Sequence, residues 1–511
     1  MHIEPSAPNF AARYTAGEPQ VVWTTLVADL ETPVSAFLKI ASSRPGTGSA
    51  MSFLLESVEG GAVRGRYSII GIEPDVIFRV SGKRAAINRT VQTDPAAFVD
   101  IDDPPLTALR ALIGESRIPL PASLPPMAAG VFGYLGYDMV RLMEDLPEPR
   151  PDPIGVPDAI LVRPTLVIAF DAVEDTITIV TPVRVHSGVP AKTALARAIE
   201  RLSAVVDALD KPLDKAAATP SHAGPLHVEP QSNTPPAEFK RMVLRAKDYI
   251  AAGDIFQVVL SQRFEAPFAL PPFSLYRALR RVNPSPYLYF LDFGAFAVAG
   301  SSPEILVKTS GDSVTIRPIA GTRRRGATPR EDLALEAELL ADPKERAEHL
   351  MLLDLGRNDV GRVAQIGTVK VTDQFFIERY SQVMHIVSNV EGKLRNDRDS
   401  IDALSAGFPA GTVSGAPKVR AMQIIDELEK DKRSLYAGCV GYFSAGEDMD
   451  SCIVLRTALI KDGIMYVQAG AGIVADSDPE FEQQECINKA KALFRAAEEA
   501  KRFASAARRG Q

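Results

Sequence analysis

Two stretches of this chain string short apolar runs together with no room for a helix between them. They lie at 295–299, 305–308 and 314–316, and again at 438–444, 451–460 and 464–468. A parallel strand pair needs a crossover of about a dozen residues or more, usually helical, so neighbours joined by tight turns pair antiparallel. The fold class predicted is α+β: a two-lobed sandwich of large, mostly antiparallel sheets with helices packed outside. At 511 residues the chain exceeds one ordinary core, which is why two lobes are expected.

The lobes divide at 207–235, where KAAATPSHAGP and EPQSNTPP supply Ala, Pro, Ser and Thr without apolar periodicity, the composition of a linker or long surface loop. This leaves an N-terminal lobe at 20–206 and a C-terminal region at 236–511. Upstream are strand-like runs at 161–170 and 176–180 and helices near 33–41 and 191–209. Downstream, Thr234 is placed to cap a helix with Pro235 at its first position. Phe239, Met242, Val243, Ala246 and Ile250 form its apolar stripe, and Gly253 ends it. A strand at 255–264 then puts Phe256, Val258, Leu260 and Phe264 on one face and Gln257 on the other. Thr328, Pro329 and Glu331 spell a capping box.

Two acidic pairs share one spacing, each just inside a helix that opens at Asp-Pro: Glu345 and Glu348 after Asp342-Pro343, Glu482 and Glu485 after Asp478-Pro479. Residues three apart on a helix share a face, so each segment presents two carboxylates in one direction. Taken singly, either pair reads first as a solvated face or a first turn favoured by the helix dipole. Glu485 with Lys489 is also an ordinary surface pair. Between the pairs lies AGAG (469–472), expected to be a small-residue turn whose amides can hold an anion. Carboxylates for a hard cation beside amides for an acid point to a metal-dependent site for an anionic substrate, and Mg²⁺ typically takes one or two protein carboxylates.

Other classes fit less well. GTVSGAPK (411–418) lacks the spacing of a phosphate-binding loop, and GAGIVA (470–475) is not followed at once by the helix that a dinucleotide site requires. A net charge of −7 and a single short basic run, Arg323 to Arg325, argue against nucleic acid. Cys439, Cys452 and Cys486 form no C-x-x-C pair, so neither a zinc knuckle nor a disulfide framework is expected. No apolar stretch reaches the roughly 18 residues of a membrane span, and the N-terminus has no signal-peptide profile. A cytoplasmic protein without a membrane partner is expected.

With these pieces placed, the chain resembles the chorismate-utilising enzymes, and within them the anthranilate synthase large subunits (component I). The resemblance runs in order through LLES (54–57), RYS (66–68), NPSPY (283–287), SSPE (301–304), PIAGT (318–322), AEHLMLLDLGRND (347–359), VMHIVS (383–388), FPAGTVSGAPK (408–418), YAGCVGY (436–442), IVLRTA (453–458), QAGAGIV (468–474) and ECINKA (485–490). It implies an α/β sandwich that converts chorismate and ammonia to anthranilate and pyruvate, the first step of tryptophan biosynthesis, with Mg²⁺ required. It also implies that ammonia comes from a glutamine amidotransferase subunit in a heterotetramer, and that L-tryptophan inhibits.

Carried onto this sequence, the resemblance makes Glu348 and Glu485 the direct metal ligands, with Glu345 and Glu482 acting through water. The enolpyruvyl carboxylate would meet Arg456, Tyr436 and the amides of Gly470, Ala471 and Gly472, with Gly321 and Thr322 completing the pocket and Thr322 counted among the catalytic groups. Glu304 would be the acid for the leaving hydroxyl, although it also reads as a strand-turn cap. His385 would bear on the elimination, although a lone His on an apolar segment is as readily a core residue. Ser57, Pro286, Tyr287 and Leu288 would contact tryptophan, whose ammonium would meet Glu56 or a backbone oxygen. Aminodeoxychorismate synthase component I is the alternative, but those enzymes carry a nucleophilic Lys where this chain has Ala320. Isochorismate and salicylate synthases carry a water-activating Lys where this chain has Gln257. A catalytically silent relative and, more distantly, an NAD-dependent enzyme are the other readings.

Overall fold

The computed structural model describes residues 1–42, 51–59, 63–213, 230–380 and 383–504. Every strand ladder among them is antiparallel, and the ladders join into one 22-stranded sheet system. This is the α+β architecture expected from strands that follow one another without crossovers. The sheet folds back on itself around an apolar layer of Phe53, Phe132, Tyr134, Tyr289, Phe296, Val440 and Leu459. Helices Ala191–Asp210, Pro272–Val282 and Pro479–Ala500 cover a second apolar layer on the outside. Strands caught between two such layers are apolar on both faces, as in Ala159–Asp171.

The two sequence lobes share ladders. Ser52–Glu59 pairs with Tyr287–Asp292, setting Leu288 opposite Glu56, and Gly130–Leu135 pairs with Cys439–Ser444. In the expected linker, the helix Ala191–Asp210 runs past 207 with Ala208 and Leu209 buried, and Gln231–Ser232 adds a short strand beside Phe264 and Glu265. Residues 214–229 of that segment lie outside the described residues. Among the described residues no helix is long and apolar enough to cross a membrane.

Local expectations fail where tertiary contacts override them. The helix after the linker is Pro236–Ala251, with Pro235 at the cap position; the Thr234 hydroxyl donates to Asn233 Oδ1 instead of capping. Its stripe of Phe239, Met242, Val243 and Ala246 is buried as expected. Phe256 precedes the first paired residue of Gln257–Pro267, so the alternation does not govern it and it is 70% exposed. Thr328 caps Pro329–Ala341 through the Glu331 amide, but the Glu331 carboxylate reaches Ala327 rather than Thr328, so the box is half made.

Candidate active site

Asp342 and Asp478 cap the helices Pro343–Val363 and Pro479–Ala500 in the same way, each side chain accepting two first-turn amides. Lys344 ties the start of the first helix to Asp476, just ahead of the second, at 2.8 Å. The carboxylates therefore converge from two helices. Burial raises the Glu348 pKa, and the charges of Glu345 and Glu485 raise it further. Glu482 is buried and raised, first by burial. Arg323 holds Glu345 at 2.9 Å, and Lys489 holds Glu485 at 2.6 Å. No three acidic or His/Cys side chains among the described residues form a ready-made metal cage. Two mutually repelling carboxylates that offer only oxygen donors fit Mg²⁺, which keeps much of its shell for water and substrate oxygens.

The AGAG segment is not a turn. It continues the strand Ile464–Ile473, in register with Gln257–Pro267, so that Gly470 faces Ser261 and Gly472 faces Val259. Ladder pairing prevails over the turn preference of small residues. The Ser261 amide bonds Glu429, and the Val259 amide bonds the Ser414 carbonyl. Gly470 and Gly472 therefore occupy the pairs that exchange no ladder bonds, and their own N–H groups point to the strand's other edge. That edge is open past Val467, where the pairing with Thr457–Lys461 ends. Lys489 donates to the Gly470 carbonyl there at 2.8 Å. Ala471 turns away into a core with Cys486. The glycines also make room: a Cβ at 470 would lie 2.7 Å from the Tyr436 hydroxyl, and one at 472 would lie 2.5 Å from Gln257 Nε2.

The expected strand at 451–460 is two strands, Met449–Ile453 and Thr457–Lys461. The break holds Arg456 at φ +47°, a left-handed conformation uncommon for a residue with a side chain. Burial lowers its pKa. Arg456 lines a cavity of 660 Å³ with Asn283, Tyr380, Glu485 and Lys489. Tyr436 is buried beside Gly470 but lines a separate small void with Gln468 and Thr457, so the structure does not bring it to the Arg456 cavity.

Ile319–Arg324 pairs with Val383–Lys393 through a bulge between Ala320 and Thr322. Gly321 is the bulged residue, at φ +72°, where glycine alone is unstrained. Thr322 pairs with His385 in register, and His385 Nδ1 lies 3.0 Å from the Thr322 hydroxyl and 3.1 Å from the Gly321 carbonyl. A carbonyl only accepts, so Nδ1 carries the proton and Nε2 keeps its lone pair. Burial, reinforced by the nearby Arg456 charge, depresses the imidazole to about 4. Glu304, between Phe296–Ser302 and Ile305–Ser310, is 6% exposed, and burial pushes its carboxyl up to about 8. At neutral pH the pair is therefore a protonated acid and a neutral base.

Ser57, Pro286, Tyr287 and Leu288 all line a second cavity, of 520 Å³. The strand pair that sets Leu288 opposite Glu56 brings them together. Glu56 is not free to meet an ammonium: Arg280 holds both its oxygens, at 2.7 and 2.8 Å, and Tyr276 donates to it as well. Among the described residues the cavity offers Asp448, Asp450 and Glu378 instead, Asp450 accepting from Tyr287 at 3.1 Å. Thr412 and Tyr380 carried no sequence signal of their own; FPAGTVSGAPK flagged the segment of Thr412 but not its bond to Glu304.

A family model for the chorismate binding enzyme matches residues 50–495, spanning both lobes and both cavities. The chain belongs to the chorismate-binding enzyme family. Within that family it is 57% identical over 507 residues to anthranilate synthase component 1 of Cereibacter sphaeroides, covering 99% of this chain and 100% of the relative. The crystal structure of anthranilate synthase component I from Streptococcus pneumoniae superposes with a TM-score of 0.72 at 39% identity, over 84% of this chain and 92% of that one. The menaquinone-specific isochorismate synthase of Escherichia coli, at 21% identity and a TM-score of 0.68 over 96% and 98%, shares the fold. The same fold therefore occurs with more than one chemistry, and the side chains at the site carry the distinction.

Proposed function

We propose that the protein is an anthranilate synthase large subunit. Chorismate plus ammonia would give anthranilate, pyruvate and water. The observation that carries the reading is the pair of buried groups: Glu304, bonded to Thr412 with its carboxyl pushed up to about 8, and His385, fixed through Nδ1 at Thr322 and Gly321 and pushed down to about 4. Ammonia forms a C–N bond at the ring carbon next to the one bearing the carboxylate, and the ring double bonds shift. The 4-hydroxyl leaves as water on the proton from Glu304. His385 Nε2 then takes the proton from the amine-bearing carbon as the enolpyruvyl C–O bond breaks, releasing pyruvate and an aromatic ring. Arg456, with the edge amides of Gly470 and Gly472, suits the enolpyruvyl carboxylate, because a guanidinium fork pairs with two oxygens at once. Glu348 and Glu485 would hold Mg²⁺, with Glu345 and Glu482 reaching it through water; the ion would supply Lewis-acid stabilisation of the ring carboxylate.

Ala320 supports direct attack by ammonia, since it offers no nucleophile of its own. The ammonia would come from a glutamine amidotransferase subunit in a heterotetramer, and L-tryptophan would bind the 520 Å³ cavity at Ser57 and Pro286 and inhibit. The test is to incubate purified protein with chorismate, Mg²⁺ and an ammonium salt and follow anthranilate fluorescence. 4-Amino-4-deoxychorismate as the main product would make this the aminodeoxychorismate-forming relative instead.

A further inference from the structure

Tyr380 alone among the described residues lines both large cavities, the one holding Ser57 and Pro286 and the one holding Arg456 and Glu485. It is buried, with its ring edge-on to His385 at 5.5 Å between centroids. Its backbone is fixed on both sides: the amide donates to the Val383 carbonyl at 2.8 Å, and its carbonyl accepts from Arg325 at 2.6 Å. The hydroxyl donates to Glu378 Oε2 at 2.7 Å, and the other oxygen of Glu378 takes the Arg317 guanidinium. Arg317 and Glu378 also line the first cavity. A continuous run of contacts therefore leads from that cavity through Arg317, Glu378 and Tyr380 to His385.

An amino-acid zwitterion brings a carboxylate that competes for Arg317 and an ammonium that competes for Glu378. If Glu378 turns to the ligand, the Tyr380 hydroxyl loses its acceptor. A buried hydroxyl without a partner is costly, so the side chain must reorient to find another. With the backbone fixed, the ring is the part that moves, and the ring forms the wall beside His385 and Arg456. We propose that Tyr380 is the positioning residue through which an amino acid in the first cavity weakens chorismate binding in the second, the Tyr380–Glu378 hydrogen bond being the contact the ligand disturbs. This rests on the proposed roles of the two cavities. It adds a specific carrier for their coupling, which for linked sites is typically about 5–150-fold in affinity.

The experiment measures tryptophan binding by calorimetry, and the chorismate KM with and without saturating tryptophan, for wild type, Tyr380→Phe and Arg317→Met. Wild type is expected to show a raised chorismate KM when tryptophan is bound. Tyr380→Phe is expected to bind tryptophan while that KM ratio falls toward one, a change that a purely structural role for Tyr380 would not produce, and Arg317→Met to bind tryptophan more weakly, having lost the partner of its carboxylate. Tyr380→Phe binding tryptophan and keeping the wild-type ratio overturns the proposal, as does Arg317→Met with wild-type tryptophan affinity. Wild type that makes anthranilate but binds no tryptophan overturns the effector reading, and the proposal with it.

Discussion

The Thr412 hydroxyl donates to Glu304 Oε1 across 3.0 Å, partly offsetting the burial that pushes this carboxyl up to about 8. The bond favours the charged form, so Thr412 moderates how firmly Glu304 holds its proton.

Glu304 therefore links stability to pH. Its folded pKa lies above the ordinary 4.5, so its contribution is whole below about 4.5, declines as pH climbs toward about 8, and changes no further above that. Glu304→Gln has no charge to bury and is expected to gain on wild type by about 1.4 kcal/mol per pH unit across that window. Thermal denaturation of both proteins at pH 5 and pH 8 reads the difference. The same variant should lose about 10²–10⁴ in kcat, the usual share of a general acid. Equal melting shifts at both pH values would mean that Glu304 is already ionised.

Glu348→Gln and Glu485→Gln are each expected to abolish turnover without unfolding the protein, because the change relieves a repulsion that already raises Glu348. A ligand that binds only the folded state stabilises it, by about 2.7 kcal/mol at a hundredfold excess over Kd. Mg²⁺ should accordingly raise the wild-type melting temperature and leave both variants unmoved. A variant that still responds to Mg²⁺ would place the ion elsewhere.

Ser57→Phe fills part of the 520 Å³ cavity that Ser57 lines together with Pro286. The tryptophan concentration for half-inhibition should rise at least about tenfold, equivalent to about 1.4 kcal/mol of lost binding. An inhibition titration at fixed chorismate checks it, and unchanged sensitivity in a folded variant would move the effector site.

Gly470→Ala introduces a Cβ 2.8 Å from the Leu260 carbonyl as well as 2.7 Å from the Tyr436 hydroxyl. The tyrosine can shift, but the ladder carbonyl cannot without parting the strands, so a loss of about 1–3 kcal/mol is expected, as for overpacking. The chorismate KM should rise as the edge amide moves. Tyr436→Phe in the same chain should restore only part of the stability, and full restoration would mean that the backbone contact carries no cost.

What the sequence disclosed was local chemistry. The caps at Asp342 and Asp478 and the Glu pairs behind them are legible because a helix start is written within a few residues. The resemblance supplied Ser57 with Pro286, which no local pattern could join, since a strand pair between distant segments brings them together. AGAG misled because small residues favour turns in isolation, whereas a ten-residue ladder held them extended. Glu56 misled for a related reason: its partners Tyr276 and Arg280 come from a helix whose packing the sequence does not specify. Tyr380 gave no signal because its importance lies in the two cavities it separates.

The ladders shared between the lobes bear on how the protein is made. As the chain emerges from the ribosome, Ser52–Glu59 and Gly130–Leu135 remain without these neighbours until residues 287–292 and then 439–444 have been synthesised. Pairings so distant in sequence form slowly, and open strand edges invite the wrong partner in the meantime. A nascent N-terminal half is thus open to mispairing along two strand edges that the full chain covers. Cutting the gene within 207–235 should give two fragments that stay soluble only when both are present in the same cell.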